Sequence, residues 1–360
     1  MSAPAQRPGS PVRAALDVGR RRVVVGSDRL HAVLNVRSAV VVLVAAALIA
    51  VLAVVALALG DFPLTTAEVL GAFTGRTGGF ARTVVLEWRL PRAASAVLFG
   101  AALGVAGAVF QTLTRNPLAS PDIIGLANGS FTGMLVALLA LGGSWPLLTA
   151  GSLIGGLLAA LAIYLLAYRD GLQGFRFIVV GIGISAVLSS FNTWMLLRAE
   201  LETALFASAW GAGTLNSVTV TTAVPAGLCV LVLLALMPFL TPSLHQLDLG
   251  DDAARATGVR VGRIRPAAIA VAVGLVSVVT AVAGPIAFVA LAAPQIARGL
   301  TRSPGIPFGA TGVVGAVLLL GSDLIAQHVL PLTVPVGVVT IVLGGAYLVR
   351  LLIHQARKQT

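Results

Sequence analysis

The chain has 360 residues, 58% of them hydrophobic and 10% charged, with a mean hydropathy of +0.98. Apolar runs of about 20 residues recur along it, each able to cross ~30 Å of hydrocarbon as a helix, which excludes a soluble domain and points to an all-α integral membrane protein. The net charge of +11 reads as membrane topology rather than a nucleic-acid footprint, because the arginines sit at the ends of the apolar runs.

In chain order, residues 1–37 are rich in Pro, Gly, Ser and Arg and read as a disordered cytoplasmic tail with no packing partner. The first apolar run ends in Ala56-Leu57-Ala58, as a cleaved secretory signal could. It outruns the ~7 to 15 residues of a signal core, however, and is expected to stay as the first span. Ten spans are expected, near 38–59, 93–111, 122–141, 147–167, 177–197, 220–240, 266–283, 286–300, 308–326 and 335–353. The eighth is short and holds Pro294 and Gln295. Together they form a transmembrane domain over 38–354, followed by a cytoplasmic tail at 355–360.

Just before the second span, RLPR sets Arg89 and Arg92 three residues apart, with Pro91 suited to a first helical turn. Both guanidinium groups can then project from about one face into water. After that span, Asn116-Pro117 and Ser120-Pro121 mark a break, since proline disfavours helix in the residue before it, and Ser120 can cap the next helix. Gly100-x-x-x-Gly104 and Gly151-x-x-x-Gly155 read as close helix packing. Cys229, the lone cysteine, excludes an intrachain disulfide and reads as a small buried hydrophobe. The connection 241–265 stands out because Asp248 and the stretch LGDDAARATGVRVGRIR at 249–265 concentrate three carboxylates and four arginines. Asp251 or Asp252 can cap a short helix there, Gly258 can close it, and Arg260, Arg263 and Arg265 can anchor the next span at headgroups. An ordinary solvated loop and a docking helix both fit these residues.

With the N-terminus inside, 19 of the 24 basic residues fall on cytoplasmic segments, and only Arg76, Arg82, Arg89, Arg92 and Arg198 fall outside. Both termini are therefore expected in the cytoplasm. Asp323 is the clearest ionisable residue inside a span, too little to bind a driving ion, which disfavours an ion-coupled secondary transporter. His31, His245, His328 and His354 are scattered and form no catalytic or metal pattern. Lys358 is the only lysine, so a GxxxxGK[ST] phosphate loop does not exist here, and any energy source must be external.

Four stretches carry a family resemblance: RLPRAASAVLFGAALGVAGAVFQTLTRNPLASPDIIGLANGS at 89–130, LGDDAARATGV at 249–259, GPIAFVALAAPQIARGLTRS at 284–303 and SDLIAQHVLPLTVPVGVVTIVLGGAYLVRLL at 322–352. Through them the chain resembles FecCD-type permease subunits of ABC importers for iron-siderophores, haem and cobalamin, and most the ferric-enterobactin-type branch. The resemblance implies a type II ABC importer permease fold of about ten transmembrane helices, paired with an identical or paralogous second permease. It further implies two ATPase subunits that carry ATP and Mg, an extracytoplasmic substrate-binding protein, surrounding membrane lipid and a ferric siderophore as substrate. No metal, cofactor or nucleic acid is implied for this chain. Carried over residue by residue, Leu249, Gly250, Asp251, Asp252, Ala253, Ala254, Arg255, Gly258 and Val259 would couple to the ATPase. Arg89 and Arg92 would dock the binding protein, and Gln173, Gly174 and Phe175 would form a cytoplasmic gate. The chain departs from the family pattern at Gln295, where many members have His, and at Gln327, where some have Arg. Cobalamin or haem are the alternative substrates; an ion-coupled carrier and a structural scaffold are the alternatives of another class.

Overall fold

The computed structural model describes residues 22–27, 30–122, 125–167, 174–330 and 334–359. Part of the expected disordered tail pairs with itself: β1 (Arg22–Ser27) and β2 (Leu30–Asn35) form an antiparallel hairpin with Arg22 opposite Asn35. The β-branched run Val23, Val24, Val25 favours a strand, a local preference that the tail's overall composition hides.

The first span is α1 (Val36–Ala58). Three elements the hydropathy pattern does not announce follow: α2 (Thr66–Thr74), α3 (Gly79–Thr83) and a π-helical turn (Val84–Arg89) that runs straight into α4 (Leu90–Thr114), the second span. A capping box starts α2, in which Glu68 accepts from Thr65 N and Oγ1, each at 2.8 Å. These bonds hold the Glu68 carboxyl below its ordinary range. Then come α5 (Leu126–Ala140), α6 (Trp145–Ala167), α7 (Gly174–Arg198), the short α8 (Leu201–Gly211) and α9 (Val220–Asp248). The six-residue α10 (Asp251–Ala256) leads to α11 (Val261–Ala283), α12 (Val289–Thr301), α13 (Phe308–Leu324) with a π-helical extension (Ile325–Val329), and α14 (Val336–Gln359). A helix thus answers each of the ten expected spans. Among the described residues, seven segments are long and apolar enough to cross a membrane; α5 and the apolar part of α14 are shorter, and α12 has 13 residues. The connection expected at 241–265 shrinks to 249–260, because α9 runs through Asp248 and α11 starts at Val261. Likewise α14 continues through most of the expected C-terminal tail.

Burial separates a core from a rim. The apolar window of the α3–α4 span is 78% buried and that of α11 72%, against 11% for α1 and 17% for α7. Core helices meet through glycine: a Cβ on Gly104 would lie 2.8 Å from the Thr311 carbonyl oxygen of α13, and one on Gly155 would lie 2.8 Å from Gly133 Cα of α5. Both GxxxG stretches lie at these crossings, where small residues let backbones touch. Cys229, expected to be buried, is exposed on the rim helix α9.

Contacts sort the helix ends into two faces. At one, Arg37 Nε donates to the Leu300 carbonyl at 2.7 Å and His245 Nε2 lies 3.2 Å from the Ile306 carbonyl, gathering the starts of α1 and α13 with the ends of α9 and α12. At the other, Thr214 N donates to Ala283 O and Gly337 N to Gly213 O, gathering the ends of α8 and α11 with the start of α14. Two helices begin between the faces. Gly125, before α5, packs on Gly181 and Ser185 of α7, and Ala290, at the start of α12, packs on Gly107, about 10 Å short of the end of α4.

Candidate functional site

The charged connection does fold as a short helix, α10, on the face that holds Arg37 and the end of α4. Its N-cap is Gly250 at φ +119 rather than Asp251 or Asp252, and no side chain caps it. The Asp251 carboxylate instead faces sideways, where Oδ1 accepts from Arg115 Nη2 at 2.9 Å and from Arg265 Nη2 at 2.7 Å. Arg265 is therefore buried in an ion pair, not spread on headgroups as expected; Arg260 and Arg263 are the exposed pair. The helix closes on Thr257, which bonds Gln246 of α9 and the Ala254 carbonyl, and then on Gly258 at φ +89, a backbone that a branched residue resists. Ala254 is buried against the body, while Ala253, Arg255 and Asp252 point out, and Leu249 is 79% exposed. Val259 N returns to the Ala254 carbonyl at 2.9 Å. The result is a small platform, bolted underneath and open on top.

The break after α4 is built differently from expectation. Arg115 ends α4 at φ +50, Asn116 Oδ1 accepts from Leu118 N, and α5 starts only at Leu126 behind Gly125, so Ser120 does not cap it. Ser120 Oγ instead donates to Asp122 Oδ2 at 3.0 Å, and the same oxygen accepts from Phe288 N at 3.3 Å, just before α12. Sequence reasoning passed over Asp122, though it is the only carboxylate between Glu87 and Asp170. Nearby, Gln111 Nε2 donates to the Leu291 carbonyl at 3.0 Å and Gln295 Nε2 donates to Gln111 Oε1 at 2.5 Å, both amides being buried. The departure at Gln295 thus fastens α12 to α4.

At the opposite face, Arg89 and Arg92 do not share an open surface. Arg89 donates to the Leu57, Ala58 and Phe62 carbonyls at 2.8, 3.2 and 2.7 Å, closing the end of α1. Arg92 grips Asp323 through two bonds of 2.9 and 2.8 Å, and Gln327 adds a third to Asp323 at 2.9 Å. Both arginines line a pocket of about 400 Å³ with His328 and the edge-to-face aromatics Phe62, Phe80 and Trp88. Of the other outer arginines expected, Arg198 lies over Trp194 at 5.4 Å.

Gln173 lies outside the described residues, while Gly174 and Phe175 form the first residues of α7. Arg176, next to them, donates to the Leu166 carbonyl at 3.2 Å. Further along, α5 and α7 share a polar ladder: Asn128 Nδ2 donates to Ser185 Oγ at 2.7 Å, and Thr132 Oγ1 to Asn192 Oδ1 at 2.6 Å. Among the described residues no cluster of His, Cys, Asp or Glu could hold a metal.

Compared with known proteins, residues 48–354 match the model of the FecCD transport family. The ferric enterobactin transport system permease protein FepG of Escherichia coli (strain K12) is 44% identical over 301 residues, 83% of this chain and 91% of that protein. The achromobactin transport system permease protein CbrC of Dickeya dadantii (strain 3937) is 35% identical over 319 residues, 87% of this chain and 91% of that protein. In fold, the chain is similar to a solved metal-chelate type ABC transporter in an inward-facing conformation, with a TM-score of 0.78 at 24% identity, covering 88% of this chain and 99% of that one.

Proposed function

The chain belongs to the FecCD transport family, and from that premise we propose that it is the permease subunit of an ABC importer moving a ferric siderophore across the cytoplasmic membrane. The observation that carries this reading is α10, a helix braced from below by Asp251 and presenting Leu249 and Arg255 to a partner. A chain with no phosphate loop of its own needs such a platform to receive work from a separate ATPase. In this reading the α10 face is cytoplasmic, as the arginine distribution favours, and two ATPase subunits sit beneath a pair of permeases. The opposite face meets the substrate-binding protein. Arg89 and Arg92 serve that docking by holding its surface in shape, since both guanidinium groups are engaged within the chain. We assign Gln173, Gly174 and Phe175 to the cytoplasmic gate, a reading that rests on the family resemblance of that stretch.

The test is reconstitution with the ATPase and binding protein in proteoliposomes, using ferric enterobactin as the probe. Uptake that requires ATP, and is abolished by Gly258→Val while the protein still reaches the membrane, is the expected result. Uptake driven by an ion gradient without ATP would overturn the reading.

A further inference from the structure

The start of α12 has no cap of its own. Phe288 sits at φ +67 and no side chain of its segment bonds the first turn. The N–H of Phe288 itself is taken from 166 residues away, by Asp122 Oδ2. Two further side-chain bonds tie the same half of α12 to the last turns of α4, Gln111 to the Leu291 carbonyl and Gln295 to Gln111. The residue that ends α4 is Arg115, whose guanidinium holds Asp251 of α10 at 2.9 Å. One short stretch, 111–122, thus grips the ATPase-side platform with Arg115 and an internal helix with Gln111 and Asp122.

We propose that Asp122 is a positioning residue for coupling, the acceptor through which displacement of α10 and the end of α4 reaches the start of α12. Phe288 packs against Gly344 of α14, where an added Cβ would collide with its side chain, so the start of α12 is in close contact with α14. The Asp122 contact is the point that gives way, because it is a single bond of 3.3 Å, partly buried, whereas the two glutamine bonds are buried. Ser120, itself buried, holds the carboxylate on the correct side by donating to the same oxygen.

The inference rests on the importer reading, and the two fail differently. If the wild-type complex does not accumulate ferric enterobactin with ATP, the importer reading falls; if it does, the variants decide this one. Asp122→Ala in the full reconstituted complex is expected to keep ATP hydrolysis within about twofold of wild type while substrate delivered per ATP drops roughly tenfold, the scale of a modest coupling energy. Asp122→Asn keeps an acceptor of the same size and is expected to restore delivery per ATP to within about twofold. A role confined to stability would lower the amount of complex and leave the ratio alone. Should the alanine variant fail to assemble, Asp122→Glu replaces it, displacing the acceptor by one methylene, and a lowered ratio is again expected. An unchanged ratio in Asp122→Ala or Asp122→Glu, or an Asn variant no better than Ala, overturns the proposal.

Discussion

The two faces of the molecule use the same residue types to opposite ends. At the face carrying RLPR, the Arg92 and Asp323 side chains are 18% and 4% exposed and joined by two bonds, with Gln327 completing the shell. At the α10 face, Asp251 shares one oxygen between Arg115 and Arg265, and beside it the Arg255–Asp252 pair stands open at 62% and 99% exposure. A paired charge out of water is a fastener, because removing one partner strands the other. An open pair contributes little to stability and stays available to a visiting surface. The lesson is that an arginine's job follows from what desolvates it, not from its place at a helix end.

Four tests break or sharpen this contrast. The largest effect is expected from Arg89→Glu/Arg92→Glu, which uncaps α1 and sets a second carboxylate against Asp323; the unfolding midpoint in detergent and the on-rate of the binding protein should fall together. A fall in on-rate alone, strongest at low salt, would mean the guanidinium groups touch the partner directly and the fastener reading is wrong. Next comes Arg92→Met, expected to cost about 3–5 kcal/mol by leaving Asp323 buried and unpaired, with most of it recovered in Arg92→Met/Asp323→Leu. Thermal unfolding of the three proteins settles that point, and a single variant as stable as wild type would dissolve the contrast. Asp251→Ala is expected to be milder, about 1–3 kcal/mol, since Arg115 can turn to water while Arg265 cannot, and co-purification with the ATPase should weaken. Smallest on stability is Asp252→Ala/Arg255→Ala, for which no shift in midpoint is expected. If it altered the unfolding curve but not ATPase binding, the α10 face would be a structural one too.

Much of the architecture was legible because a hydrocarbon solvent leaves little choice: each apolar run became a helix, with the polar ends of α9 and α11 running past their expected bounds. The misses share a cause. Short helices such as α2, α3 and α8 span nothing and leave no hydropathy signal, and the hairpin at 22–35 rests on three valines inside a polar tail. At the candidate site, a short helix closed by Gly258 was one of the two readings the stretch allowed, and the positive φ at Gly258 agrees with it, whereas the expected Asp cap gave way to Gly250. The partners of Asp251, Arg92, Arg89 and Asp122 lie across the bundle, where no local rule reaches. Asp122 was hidden most thoroughly, because its partner is a backbone N–H that has no letter in the sequence.

The Arg92–Asp323 bond also sets a clock on synthesis. Its partners are separated by 231 residues, so at roughly 5–20 residues per second the arginine emerges about 10–50 s before its carboxylate. During that interval α4, the most buried of the long spans, sits in the bilayer with a cation near its end and without the carboxylate that grips it in the finished fold. A position only two residues into the helix lets Arg92 reach up to the interfacial water while it waits. The late arrival of α13 then draws it inward, making the last third of the chain the step that commits the first.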